Sequence, residues 1–73
     1  MKVVYKNAIA GNVIYSEDHG DIPGLMAILK ETKHVKMGVL NYEVKKYSLE
    51  YAQYSTKSKE MKSELVILLN QKF

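Results

Sequence analysis

The chain contains no cysteine. That absence excludes disulfides and thiolate zinc sites, two common supports of short domains. With 73 residues the chain is one domain over 1–73, of a size that buries only ~60% of its unfolded surface. Close packing, self-association or a bound partner must supply the stability. Arginine is missing as well, since all 11 basic residues are lysine. The planar fork that grips phosphate or guanine through two hydrogen bonds is therefore not available. Long apolar runs are also missing. The longest, Leu65 to Leu69, is far short of a membrane span, and Lys6 and Asn7 interrupt any signal-peptide core near the start. These absences predict a cytoplasmic protein without a membrane partner.

Motifs that carry chemistry are equally scarce. The serines at 16, 48, 55, 58 and 63 lie outside any Gly-x-Ser-x-Gly elbow, and the four glycines are scattered, so no phosphate-cradling loop forms. The stretch Glu17-Asp18-His19-Gly20-Asp21 collects acids and one of two histidines. It has neither a calcium-loop spacing nor an H-E-x-x-H pair. The acids suit the ground before a positive helix end, with Asp21 as N-cap, reaching Gly24 because Pro23 has no amide hydrogen. His34, without partners, reads as a surface residue. No enzyme activity, metal or cofactor is expected.

What is present is hydrophobic patterning. Gly11-Asn12 between residues 2–10 and 13–17 predicts a two-residue hairpin, with Ala10 facing Val13, Ala8 facing Tyr15 and Lys6 facing Glu17. Val3, Tyr5, Ile9 and Ile14 would form its core side. Ile22, Leu25, Met26 and Leu29 recur at helical spacing and predict a helix over 22–33. His34 to Leu40 alternates as a short strand. From 41 to 56, Leu40, Val44, Tyr47, Tyr51 and Tyr54 recur at 4-3-4-3 spacing, which favours a helix capped by Asn41. The rival is strand: Tyr47, Leu49 and Tyr51 alternate, but the phase slips at Lys45-Lys46 and no turn residue marks a hairpin there. Residues 58–71 read as a helix with Ser58 as cap and Met61, Leu65, Leu68 and Leu69 on one face. Val66 and Ile67 widen that face beyond one stripe, which points to a homodimer. The expected class is α+β, in the order β-β-α-β-α-α, with β-β-α-β-β-α as the alternative.

The function expected from these features is binding. Tyr47, Tyr51 and Tyr54 form a candidate protein-docking face, since tyrosine is enriched at binding hot spots. Core packing competes with that reading, because a periodic apolar stripe usually faces inward. Lys45, Lys46, Lys57, Lys59 and Lys62 interleave with the tyrosines, as on a single-stranded nucleic-acid platform. Glu43, Glu50, Glu60 and Glu64 dilute that basic field to a net charge of +3. The favoured expectation is a small accessory or regulatory protein, an inhibitor or adaptor that occludes or clamps a protein partner. A nucleic-acid-binding protein is the alternative. The richness in lysine, asparagine, isoleucine and tyrosine suggests an AT-rich genome. Size and composition resemble those of short accessory proteins from AT-rich bacteria and their phages, a likeness that rests on no motif.

Overall fold

A computed structural model describes residues 1–53 and 61–72. The elements are β1 (Lys2–Asn7), β2 (Val13–Asp18), α1 (Ile22–Thr32), β3 (His34–Met37), β4 (Leu40–Gln53) and β5 (Met61–Lys72). They build a five-stranded sheet in the order β2-β1-β5-β4-β3. β1 and β5 run parallel, and the other neighbours run antiparallel. Among the described residues the C-terminal half is therefore strand from Leu40 to Gln53 and from Met61 to Lys72. This overturns the β-β-α-β-α-α order, and it also overturns the final helix of the alternative.

Local chemistry explains both corrections. In β4, Val44 lies opposite Leu69 and Lys46 opposite Leu68, so Lys45 is the extra residue of a β-bulge. A bulge inserts one residue without changing the face presented to the core. Tyr42 and Val44 before it, and Tyr47 after it, all pack with the core cluster. The inserted residue stretches one strand step to the spacing of three between Val44 and Tyr47, and this imitates a helical repeat. In β5, the run Leu65 to Leu69 is apolar on both faces because the strand is central, flanked by β1 and β4. Leu65, Ile67 and Leu69 are buried in the core cluster. Val66 is buried on the other face, in register with Val4 and Ser48. A run hydrophobic all round suits a strand closed in on both faces as well as it suits a helix. The apolar width of this segment thus gives no ground for a dimer.

The N-terminal hairpin forms with a different register. Tyr5 faces Tyr15, Val3 faces Glu17 and Lys6 faces Val13, with an irregularity after Tyr5. Residues 8–12 form the loop, organised by Asn7. Its side-chain Oδ1 accepts from the amides of Ile9 and Ala10, each at 2.9 Å, as turn-forming asparagines do. Its carbonyl accepts from the Gly11 amide at 2.9 Å, and Gly11 supplies the positive φ of 78°. Ile9 is consequently exposed rather than in the core. Lys6 does not meet Glu17. The Tyr5 hydroxyl does, donating to Glu17 Oε1 at 3.3 Å. At the other hairpin, β3 ends at Met37, and Gly38-Val39 turns the chain directly into β4, pairing Met37 with Leu40. Gly38 has φ 63° while Val39 stays negative, the pattern of a type II′ hairpin turn.

The helix forms as its spacing predicts. Asp21 Oδ1 accepts from the Gly24 amide at 3.0 Å, with Pro23 in the first turn. A Cβ at Gly24 would collide with the Asp21 carboxylate, so glycine there leaves room for the cap. Lys33 closes the helix in a left-handed conformation, its amide donating to the Leu29 carbonyl at 2.8 Å. Leu29 is buried, and Ile22, Leu25 and Met26 pack around the same cluster. Full burial of a side chain such as Leu29 contributes about 1.5–3 kcal/mol, and the half-buried Ile22, Leu25 and Met26 contribute less.

Two outcomes are expected. Asp21→Ala removes the cap and lowers unfolding free energy by about 1 kcal/mol. An unchanged urea midpoint would show that the cap contributes nothing. Burial, reinforced by the neighbouring Glu17 carboxylate, pushes the Tyr5 hydroxyl up to about 12. A value raised in the folded state means that its stabilisation is complete below pH ~10, the unfolded tyrosine value. It is lost as pH climbs from there toward the folded value. Chemical denaturation across that window should therefore show a steeper loss for the wild type than for Tyr5→Phe. Parallel losses would sink the assignment.

Candidate docking surface

β4 is much longer than the strand that covers its outer edge. β3 pairs only with Leu40–Glu43, and the Val44 amide donates to the Lys33 carbonyl at 3.0 Å. From Lys46 to Gln53, no strand among the described residues pairs with β4 on the side away from β5. An edge of this kind carries unmet backbone donors and acceptors and can take an added strand.

The helix leaves the same region open. α1 begins after Asp18, in the row Asp18–Lys2–Glu64–Glu50, and delivers the chain to His34, in the row His34–Glu43–Asn70. It therefore crosses the sheet diagonally. The corner of the helix-bearing face nearest the β4 edge stays uncovered, with Leu49 56% and Tyr51 63% exposed. Tyr47, one strand step further in, packs against the core cluster. Its hydroxyl is buried without a hydrogen-bond partner, and burial raises its pKa above the ordinary tyrosine value.

The candidate tyrosines thus divide. Tyr47 belongs mainly to the core and Tyr51 to the surface, while Tyr54 lies outside the described residues. Leu49 joins Tyr51 on this surface. A helical reading of 41–56 hides that residue, whereas the strand alternation of Tyr47, Leu49 and Tyr51 contains it. The candidate lysines divide as well. Lys57 and Lys59 lie outside the described residues. Lys46 is opposite Leu68 and Lys62 neighbours Ser63, the residue opposite Tyr51. Both lysines therefore lie on the sheet face away from Tyr47 and Tyr51. Lys45, the bulge residue, holds Glu43 Oε2 at 3.3 Å. Among the described residues, the sheet separates Tyr47 and Tyr51 from Lys46 and Lys62.

The acidic stretch has local employment. His19 Nδ1 accepts from the Asp21 amide at 3.1 Å, Asp21 caps α1, and Asp18 Oδ1 accepts from the Met1 nitrogen at 3.2 Å. Among the described residues, no three histidine, aspartate or glutamate side chains stand ready to hold a metal ion. An open recess of about 770 Å³ lies near this stretch, bordered by Lys2, Glu17, Asp18, Lys62 and Glu64 among others. Its charges are engaged: Glu17 by Tyr5, Asp18 by Met1, and Glu64 by Lys2 at 4.0 Å. Among the described residues no helix is long and apolar enough to cross a membrane. Comparison with protein-family models, with curated proteins and with solved structures found no match.

The division of the tyrosines is open to measurement. Tyr51→Ala should cost about 1 kcal/mol or less, since an exposed strand residue loses little beyond its propensity. Tyr47→Ala should cost about 2 kcal/mol or more, as a truncation in packed surroundings does. Tyr47→Phe should be neutral or stabilising, because it removes a buried hydroxyl that has no partner. Thermal melts of the three variants decide the matter, and equal losses for Tyr51→Ala and Tyr47→Ala would contradict the assignment.

Proposed function

We propose that this chain is a non-enzymatic accessory protein that works by docking on another protein, using the open β4 edge with Leu49 and Tyr51 as its apolar anchors. The observation that carries the reading is the coincidence of two features. Large apolar side chains stand more than half exposed, beside a strand edge that is unpaired among the described residues. Backbone groups on such an edge supply affinity through strand addition, and alternate side chains supply selectivity. A rigid surface of this kind suits occlusion or clamping of the partner, an inhibitor or adaptor role in the cytoplasm.

The nucleic-acid alternative is weaker on the same geometry. Base stacking needs aromatic faces beside a cationic track. Here Tyr51 and the lysines 46 and 62 lie on opposite faces of the sheet, and Lys45 is paired with Glu43.

Site-specific photocrosslinking tests the proposal. A photoreactive phenylalanine derivative replaces Tyr51 in one variant and Ile28, exposed on the helix, in another, each expressed in the source cells. Protein adducts should form from position 51, be missing from position 28, and vanish when Leu49→Lys is added. Nucleic-acid adducts, or no adducts at position 51, would overturn the docking reading.

A further inference from the structure

We infer that a second copy of this chain occupies the β4 edge, in an antiparallel ladder about a two-fold axis through Ser48. This deepens the docking reading and rests on it. The edge sequence reads Lys46-Tyr47-Ser48-Leu49-Glu50-Tyr51. With the axis at Ser48, Lys46 faces the partner's Glu50, and Glu50 faces the partner's Lys46. Tyr47 faces the partner's Leu49, and Leu49 faces the partner's Tyr47. Strand alternation puts both ion pairs on the face away from the helix and both aromatic–aliphatic pairs on the helix-bearing face. Pairs of these two kinds are the ones that stabilise antiparallel neighbours.

Other two-fold registers are poorer. An axis at Lys46 or at Glu50 sets like charges directly opposite each other, which destabilises the ladder. An axis at Tyr47 sets Glu50 against the partner's Val44 and Lys45 against its Leu49. An axis at Leu49 leaves Lys46 opposite Ala52 and Glu50 opposite Ser48, with no cross-strand charge partner directly facing either. Only the Ser48 axis sets Lys46 against Glu50; Lys45, held by Glu43 of its own chain, then lies opposite the partner's Tyr51.

The monomer carries an independent sign of the missing neighbour. Glu50 lies directly opposite Glu64 within its own sheet, a like-charge pairing in which Glu64 is met by Lys2 at 4.0 Å. Among the described residues neither Glu50 nor Lys46 has an ion pair. A lysine delivered to the open side of Glu50 offsets that repulsion.

The fold also sets the extent of the contact. The Val44 amide is taken by Lys33, so the shared ladder spans 45–51 of each chain, and β4 departs from its partner beyond that point. A contact this short lies at or below the low end of specific interfaces, ~1,200 Å², and belongs with micromolar dissociation constants. The opposite edge does not compete. β2 carries Glu17 and Asp18 and no lysine, so β2–β2 pairing gathers acids. A β2–β4 contact would be head-to-tail, giving a ring or a filament, whereas β4–β4 pairing closes as a dimer.

Sedimentation velocity over a concentration series, with thermal melts as the folding control, tests the inference. The wild type should pass from monomer to dimer across the micromolar range. Lys46→Glu and Glu50→Lys should each weaken the dimer at least tenfold, since each creates two like-charge contacts. Mixing these two variants should restore dimers, because only the heterodimer then pairs opposite charges, and the double variant should dimerise like the wild type. A wild type that stays monomeric at high micromolar concentration overturns the inference, and so does a dimer indifferent to both single changes. If position 51 still crosslinks to a different protein in either case, self-pairing falls and the docking reading stands. If it crosslinks to nothing, both fall.

Discussion

Everything in this fold depends on β5 being a central strand. Its backbone is paired on both sides, by β1 in parallel and by β4 in antiparallel, and its side chains are withdrawn from water on both faces. A chain of 73 residues without cysteine has no covalent support, so one strand that buries apolar groups in two directions is an efficient use of sequence. Leu65, Ile67 and Leu69 meet Val3, Tyr5, Leu29 and Tyr42 under the helix. Val66 and Val4 are buried on the opposite face, where they are adjacent in the parallel ladder of β1 and β5. Placing the last strand between the first and the fourth also joins the two ends of the sequence in one ladder.

The elements legible in the sequence were those whose signal is local. Asp21, Pro23 and the stripe Ile22, Leu25, Met26 and Leu29 announce α1 because capping and helical period are short-range properties. The N-terminal strands are legible for the same reason. Their register is not, because the turn is set by the Asn7 side chain reaching the amides of Ile9 and Ala10 rather than by Gly11-Asn12 alone. β4 and β5 were hidden by two non-local facts. A bulge at Lys45 shifts the strand phase so that Val44 and Tyr47 share a face, and this spacing also fits a helix. The continuous apolar run of β5 depends on neighbours far away in sequence. Of the candidate site, Tyr51 was legible as one of three candidate docking tyrosines, but its exposure was not, because a periodic stripe fits core and surface alike. The separation of tyrosines from lysines was not, because face assignment inverts between a period of two and a period near 3.6.

That inversion bears on function more than on fold. On a helix, Tyr47, Tyr51, Lys45 and Lys46 would wrap one cylinder, and a single ligand could reach ring and ammonium together. On a strand, adjacent residues point to opposite faces, and the sheet becomes a wall between Tyr51 and Lys46. The helix-bearing face then offers an apolar corner, and the other face a field of mixed charge with Glu43 held between Lys45 and Lys72. The docking proposal follows from this partition, since an apolar corner beside an open edge has the two ingredients of strand addition and none of those of a phosphate track.

Unequal strand lengths create the open edge. β4 spans Leu40–Gln53 while β3 spans His34–Met37, and the tight Gly38-Val39 turn forces the short strand to pair with the beginning of the long one. Among the described residues, the part of β4 beyond Val44 has a paired strand on one side only. Natural edges are commonly blunted by lysines, by bulges or by brevity. Here Lys45, Lys46 and the bulge stand together at the upstream end of the open stretch. From Tyr47 to Tyr51 no such device intervenes among the described residues: the helix-side residues are Tyr47, Leu49 and Tyr51, and the one charge between them, Glu50, is already opposed by Glu64. An edge left apolar on its helix side at one end and guarded at the other limits the register in which a strand can add. A charge pattern that matches itself when reversed about Ser48 narrows that choice further, to a second copy of the same chain.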